Sequence, residues 1–214
     1  MITETLLLNP IVMSKITYEH DIIKQNHLDT LLNLSFMDNV IETGGVFVSN
    51  NKNILEDENL SEIKKDFMLA AKQYTLDVLR INNEFKMTNS WLTKNEKGAK
   101  HHDHTHPNVI FSAVTYFSDD LSNDSFDEIL WYLPGLSNNF KNFTFEYEIL
   151  EWNNYNSQTW KFRPNKNEII IFPGSLLHGS NPNLSEKPRY CVGANFFVTG
   201  IVGSDLEINK VIIN

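Results

Sequence analysis

Four histidines and a carboxylate fall within the six residues His101-His102-Asp103-His104-Thr105-His106, and Pro107 follows them. Imidazole and carboxylate are the donors that first-row transition metals take from proteins. On an extended segment, side chains at i and i+2 point to one side, so His104 and His106 can offer two nitrogens to one ion. A third ligand has to come from another strand. His178, in Phe172-Pro173-Gly174-Ser175-Leu176-Leu177-His178, is the remaining histidine in the most pointed context. Three protein ligands with open positions beside them describe a mononuclear non-heme iron centre of the facial type. The run alone fits two plainer readings equally well, a solvated surface loop or a metal-binding tract without function. The elements that position it have to decide.

Those elements change character along the chain. Leu6 to Met13 is apolar with Pro10 inside it, which suits an edge strand or an extended lead-in. His20 to Leu34 fits a short helix loosely, and His20 and His27 read as surface or helix-face residues. Gly44-Gly45 predicts a turn into an extended Val46-Phe47-Val48. From about Asn59 to Leu79, Leu60, Ile63, Phe67, Ala70, Ala71, Tyr74 and Val78 recur at helical steps. Asp57 and Glu58 suit the positive end of that helix and Asn59 its cap, and the apolar stripe predicts packing on a sheet. Strands are then predicted at Phe85 to Thr93, Val109 to Phe117, Phe143 to Trp152, Thr159 to Phe162, Glu168 to Phe172 and Tyr190 to Thr199. Helices followed by many short strands indicate an α+β chain whose strands form a sandwich or jelly roll. Such a fold can carry His178 to His104 and His106.

The totals set bounds. A chain of 214 residues suits a single domain 1–214, with a helical N-terminal part over about 15–82 and a jelly-roll core over about 83–200. A hydrophobic share of 41% and an aromatic share of 12% indicate a folded globule. The net charge of -9 argues against a nucleic-acid backbone as main partner. One cysteine, Cys191, excludes an intramolecular disulfide and suggests a cytoplasmic setting. The first residues, Met1 to Thr5, lack the positive start of a signal peptide, and no apolar run reaches the length of a membrane span.

Read in order, the motifs resemble the iron(II)- and 2-oxoglutarate-dependent oxygenases, and within them a phage and bacterial group. Asn89-Ser90-Trp91-Leu92 and Lys97-Gly98 lead into His104-Thr105-His106-Pro107 and Ser112-Ala113-Val114-Thr115-Tyr116, similar to that group's tryptophan, glycine, His-x-His-Pro and Ser-Gly-Val-x-Tyr series. Ile170-Ile171-Phe172-Pro173, His178 and Asn181-Pro182 resemble its distal histidine strand. Arg189 and Gly193-Ala194-Asn195-Phe196 resemble its closing segment, and Leu8-Asn9-Pro10-Ile11 its opening. The resemblance implies a double-stranded β-helix with N-terminal helices packed on one sheet, iron(II) on His104, His106 and His178, and 2-oxoglutarate and dioxygen as co-substrates. Inside an apolar cavity the far carboxylate of 2-oxoglutarate needs a cation, and the always-charged fork of Arg189 suits it. Tyr116 either adds a hydroxyl to that cavity or is a core tyrosine. The setting would be the host cytoplasm if the chain is phage-encoded.

Three departures stand against the pattern. Most relatives have His-x-Asp or His-x-Glu where this frame places His106, so three neutral ligands replace two and a carboxylate; the other frame uses Asp103. Ala113 replaces a glycine. The acidic, aromatic segment Asp119 to Leu136 is longer than expected and reads as a lid or a surface excursion. In the frame on His104, His101, His102, His20 and His27 are individually dispensable for iron. Two other functions stay open: a cupin-like metal-binding jelly roll that does not use 2-oxoglutarate, and an interaction module with incidental histidines. The second substrate, whether peptidyl side chain, small metabolite or nucleic-acid base, is not indicated.

Overall fold

The strands form two antiparallel sheets, and the His-rich segment bridges to the edge of the smaller one. The computed structural model describes residues 11–39, 44–121, 128–132, 148–152, 157, 159–204 and 208–214. The larger sheet has eight strands. In spatial order it runs β1 (Ser14–Thr17), β8 (Glu168–Pro173), β5 (Phe111–Ser118), β10 (Arg189–Val202), β4 (Glu84–Asn95), β3 (Val46–Ser49) and β2 (Phe36–Asp38), and β11 (Val211–Ile213) pairs with the far end of β10. The smaller sheet is β7 (Thr159–Phe162), β6 (Ile129–Tyr132) and β9 (Leu177–Ser180). Every pairing between these strands is antiparallel. With the helices on one face, this is the expected α+β double-stranded β-helix.

Side-chain alternation along the central strands separates packing from chemistry. On β10, Tyr190, Val192, Ala194 and Phe196 face the helices, joined by Phe111, Ala113 and Phe117 of β5 and Ile169 and Ile171 of β8. The other parity, Arg189 and Cys191 with Val114 and Tyr116, faces the space between the sheets. On β4 the register with β10 shifts at Asn195/Phe196, where Thr88 is the extra residue. Phe85 and Met87 therefore pack with the helical core before the bulge, and Leu92 does so after it. The bulge is what turns Trp91, Thr93 and Asn95 toward the site.

The helical stripe read from the sequence is a continuous helical stretch in three parts. A 3-10 turn at Glu58–Leu60 enters α2 (Ser61–Gln73), and a π-helical turn at Tyr74–Val78 closes it. Ile63, Phe67, Ala70 and Ala71 are buried on its sheet side, so removing Phe67 would cost about 3–5 kcal/mol. The cap lies earlier than expected: Asp57 Oδ1, not Asn59, takes the exposed donor, the Asn59 N–H at 2.9 Å. The short first helix, α1 (Gln25–Leu32), buries Leu28 and Leu31.

Several expectations need correction. His27 lies on α1 but is fully buried rather than at the surface, and its Nδ1 accepts the Lys24 N–H at 3.1 Å, closing the turn into α1. Within Phe143 to Trp152, residues 143–147 lie outside the described residues, and Glu148 to Trp152 is not a strand. The stretch Asp119 to Leu136 is more than an excursion: it contains β6, the central strand of the smaller sheet, and buries Trp131. The lead-in at Leu6 to Met13 falls outside the described residues as far as residue 10, and the edge strand starts at Ser14. No helix among the described residues is long and apolar enough to cross a membrane.

Candidate metal centre

His104 and His178 are joined by their backbones. The His104 N–H donates to the His178 carbonyl at 2.9 Å and the His178 N–H to the His104 carbonyl at 3.0 Å, an isolated antiparallel bridge. Two positions on, the His106 N–H donates to the Gly174 carbonyl at 2.8 Å. Gly174 allows this close approach, since a Cβ there would lie 2.7 Å from the Val109 carbonyl oxygen. The loop is thereby laid along β9, and its extended geometry turns both histidines to the same side. One ligand atom from each of His104, His106 and His178 falls within 4.8 Å of the others.

Each of these rings is held through its other nitrogen. His104 Nδ1 donates to the His102 carbonyl at 2.9 Å and His178 Nδ1 to the Leu176 carbonyl at 2.8 Å. His106 Nδ1 meets Asn195 Oδ1 at 2.8 Å and Ser112 Oγ at 2.7 Å, and Ser112 Oγ donates to the same Asn195 oxygen. Because carbonyl oxygens only accept, these contacts place the ring hydrogens on Nδ1 and leave Nε2 as a bare lone pair. His104 Nε2 and His106 Nε2 then face each other at 3.2 Å. Two lone pairs at that separation repel, and a cation between them at about 2.1 Å from each removes the conflict. The donor set fits a metal.

Burial keeps two of the donors, His106 and His178, neutral. It pushes the His178 imidazole down to about 3 and the His106 imidazole to about 4, although the Asn195 contact works the other way for His106. Trp131 stacks on His178 with ring centroids 5.3 Å apart, and Phe172 meets it edge-on at 4.5 Å. Trp91 stands beside His106 at 5.7 Å, lying flat across Gly193 where a Cβ would come within 2.5 Å of its ring. These aromatic walls are what desolvate the trio.

Asp103 is elsewhere. It is exposed, its carboxylate rests against the backbone of Gly179, and it bonds the Tyr132 hydroxyl. Gly179 leaves the room, for a Cβ there would lie 2.2 Å from Asp103 Oδ1.

Arg189 is 3% exposed at the start of β10 and lines the same cavity as the three histidines. Its Nη2 donates to Ser180 Oγ at 2.8 Å, and the His101 N–H donates to that oxygen at 3.0 Å. With both acceptor positions used, the Ser180 hydroxyl has its own hydrogen to donate. Tyr116 borders the cavity and contacts Cys191, whose thiol burial pushes up to about 12 and so keeps it from acting as a thiolate ligand. Ser180 is not singled out in the sequence, and Ser112 and Asn195 appear there within motifs but without a function of their own. Strand parity was the available signal, since Asn195 shares the face of Arg189 and Ser112 that of Tyr116.

A family model described as "Putative 2OG-Fe(II) oxygenase" matches residues 89–195, half of the chain. That interval holds the His trio, Arg189 and Asn195. No curated protein matches the chain in sequence. Among solved structures, an oxidoreductase of the 2OG-Fe(II) oxygenase family from Burkholderia pseudomallei aligns with TM-score 0.56 at 11% identity, covering 86% of this chain and 83% of that one. HygX from Streptomyces hygroscopicus, solved with nickel, 2-oxoglutarate and hygromycin B, gives 0.56 at 11%, covering 87% and 82%. A Pseudomonas putida prolyl-4-hydroxylase gives 0.51 at 13%, covering 89% and 94%. At these identities the likeness is one of fold. The phage grouping has no counterpart in these matches.

Proposed function

The chain belongs to the 2OG-Fe(II) oxygenase family, and we propose that it couples oxidative decarboxylation of 2-oxoglutarate to hydroxylation of a second substrate. The observation that carries the reading is the convergence of three Nε2 lone pairs, each ring fixed through Nδ1. His104, His106 and His178 would hold the iron. Iron(II), when bound, supplies the redox chemistry and the open coordination positions that the side chains lack.

The chain's own residues account for the rest. Arg189 is the buried cation for the distal carboxylate of 2-oxoglutarate, and the Ser180 hydroxyl is a second donor beside it. Tyr116 offers its hydroxyl to the same cavity; burial holds that phenol well above its ordinary value, so it acts as a neutral donor. Trp91, Trp131 and Phe172 exclude water from the His trio. Three imidazoles carry no charge, so the site is one negative charge short of a two-histidine, one-carboxylate set, and the dianionic co-substrate gains correspondingly in attraction.

The test is an anaerobic visible spectrum of the iron(II)-loaded protein as 2-oxoglutarate is added, followed by a succinate assay once oxygen is admitted. A charge-transfer band from the chelated keto acid and slow succinate formation are expected. Neither appearing, with iron demonstrably bound, would sink the oxygenase reading and leave a metal-binding jelly roll.

A further inference from the structure

The His-rich run contains a second grouping that the first does not use up. One ligand atom from each of His101, His102 and His104 falls within 4.8 Å of the others. Ring centroids stand 4.6 Å apart for His101 and His104, 5.0 Å for His102 and His104, and 5.3 Å for His101 and His102. The corresponding separations in the first trio are 5.1, 4.4 and 5.1 Å, so the two groupings are equally tight. The second is also anchored. Its His101 is tied to β9 by the N–H to Ser180 Oγ contact and by the Ser180 N–H to the His101 carbonyl at 3.1 Å. All three members are partly exposed, whereas His178 of the first trio is buried.

His104 belongs to both sets, and its Nδ1 is committed to the His102 carbonyl. It therefore has one lone pair to give, on Nε2. We propose that His101, His102 and His104 form a second seat for a late first-row divalent cation such as Zn(II), one that excludes occupancy of the first by taking His104. The exclusion rests on the metal-centre reading above, whereas the seat itself does not. Imidazole sets bind Ni(II), Cu(II) and Zn(II) more tightly than Fe(II), so the outer seat is a point at which such ions block iron loading.

The test is equilibrium Zn(II) and Ni(II) binding by calorimetry to the metal-stripped 214-residue chain, with folding of each variant checked by circular dichroism. His178→Ala breaks only the first trio, and His106→Ala does the same should that variant fail to fold. In either background Zn(II) binding is expected to persist, and adding His101→Ala or His102→Ala should weaken it on the order of tenfold or more, since loss of even an orienting partner costs about 10–100-fold. Wild type should bind one ion at a time. If breaking the first trio already abolishes binding, the second seat is overturned while the metal centre stands. If binding survives both substitutions unchanged, the ions sit adventitiously on exposed imidazoles and the proposal also fails. Two ions held together in wild type would overturn the sharing of His104.

Discussion

His104 and His178, 74 positions apart in the chain, exchange both of their backbone hydrogen bonds, at 2.9 and 3.0 Å. Their rings come out of one short β-bridge with centroids 4.4 Å apart. Two donors are thus positioned by main chain, and side-chain packing only has to orient the rings.

Iron(II) affinity should collapse in His104→Ala, His106→Ala and His178→Ala, each of which leaves an incomplete set. Asp103→Ala should retain it, because that carboxylate rests on Gly179 and Tyr132. Full affinity in His104→Ala with loss in Asp103→Ala, measured by anaerobic calorimetry, would move the ligand frame to Asp103.

Arg189→Ala should spare iron and weaken 2-oxoglutarate. Removing one partner of a buried charge pair costs about 3–5 kcal/mol, so affinity should fall on the order of a hundredfold or more. The read-out is the 2-oxoglutarate titration of the iron-loaded protein, and unchanged affinity would assign the cation role to another residue.

Asn195→Ala leaves His106 Nδ1 with Ser112 alone and frees the ring to turn. Loss of such an orienting partner costs about 10–100-fold in metal affinity. Asn195→Asp keeps the acceptor and should recover most of it. If the alanine variant binds Ni(II) as wild type does, Asn195 does not position His106.

Gly193→Ala forces the Trp91 indole off the strand, because the new Cβ would stand 2.5 Å from its ring. Crowding of this kind costs about 1–3 kcal/mol. In a Trp91→Ala background the same substitution should be nearly neutral. Equal costs in both backgrounds, from urea unfolding, would show that the glycine is needed for some other reason.

The metal-free protein should lose stability in acid through its buried imidazoles. His178 and His106 sit at about 3 and about 4 in the folded chain against an ordinary 6.5. Between those values and 6.5 the unfolded chain binds protons that the folded chain refuses, so stability falls as pH drops through that window and is unaffected by these groups above it. For His178 the slope is up to about 1.4 kcal/mol per pH unit. His178→Gln should flatten the profile between neutral and mildly acidic pH. A slope identical to wild type would refute the assignment.

The sequence by itself determined much of what depends on local periodicity, although the alternation read over Phe143 to Trp152 does not make Glu148 to Trp152 a strand. The i, i+2 spacing of His104 and His106 and the helical stretch from about Asn59 to Leu79 follow from side-chain period, although Val78 at the end of the stripe is exposed, and β7 and β8 are found between their Asn, Pro and Gly bounds to within a residue. Arg189, one residue before the strand start expected at Tyr190, begins β10. Tertiary structure decided what depends on pairing between distant segments. Which carboxylate or imidazole joins the trio turned on the His104–His178 bridge and the Gly179 contact that holds Asp103 aside, neither of which leaves a trace in local spacing. The same holds for β6, hidden in an acidic stretch because its burial comes only from pairing with β7 and β9. It holds for His27 as well, whose Nε2 stands 3.4 Å from the carboxylate of Glu62 in α2. Period fixes which way a side chain points; only the fold decides what it meets there.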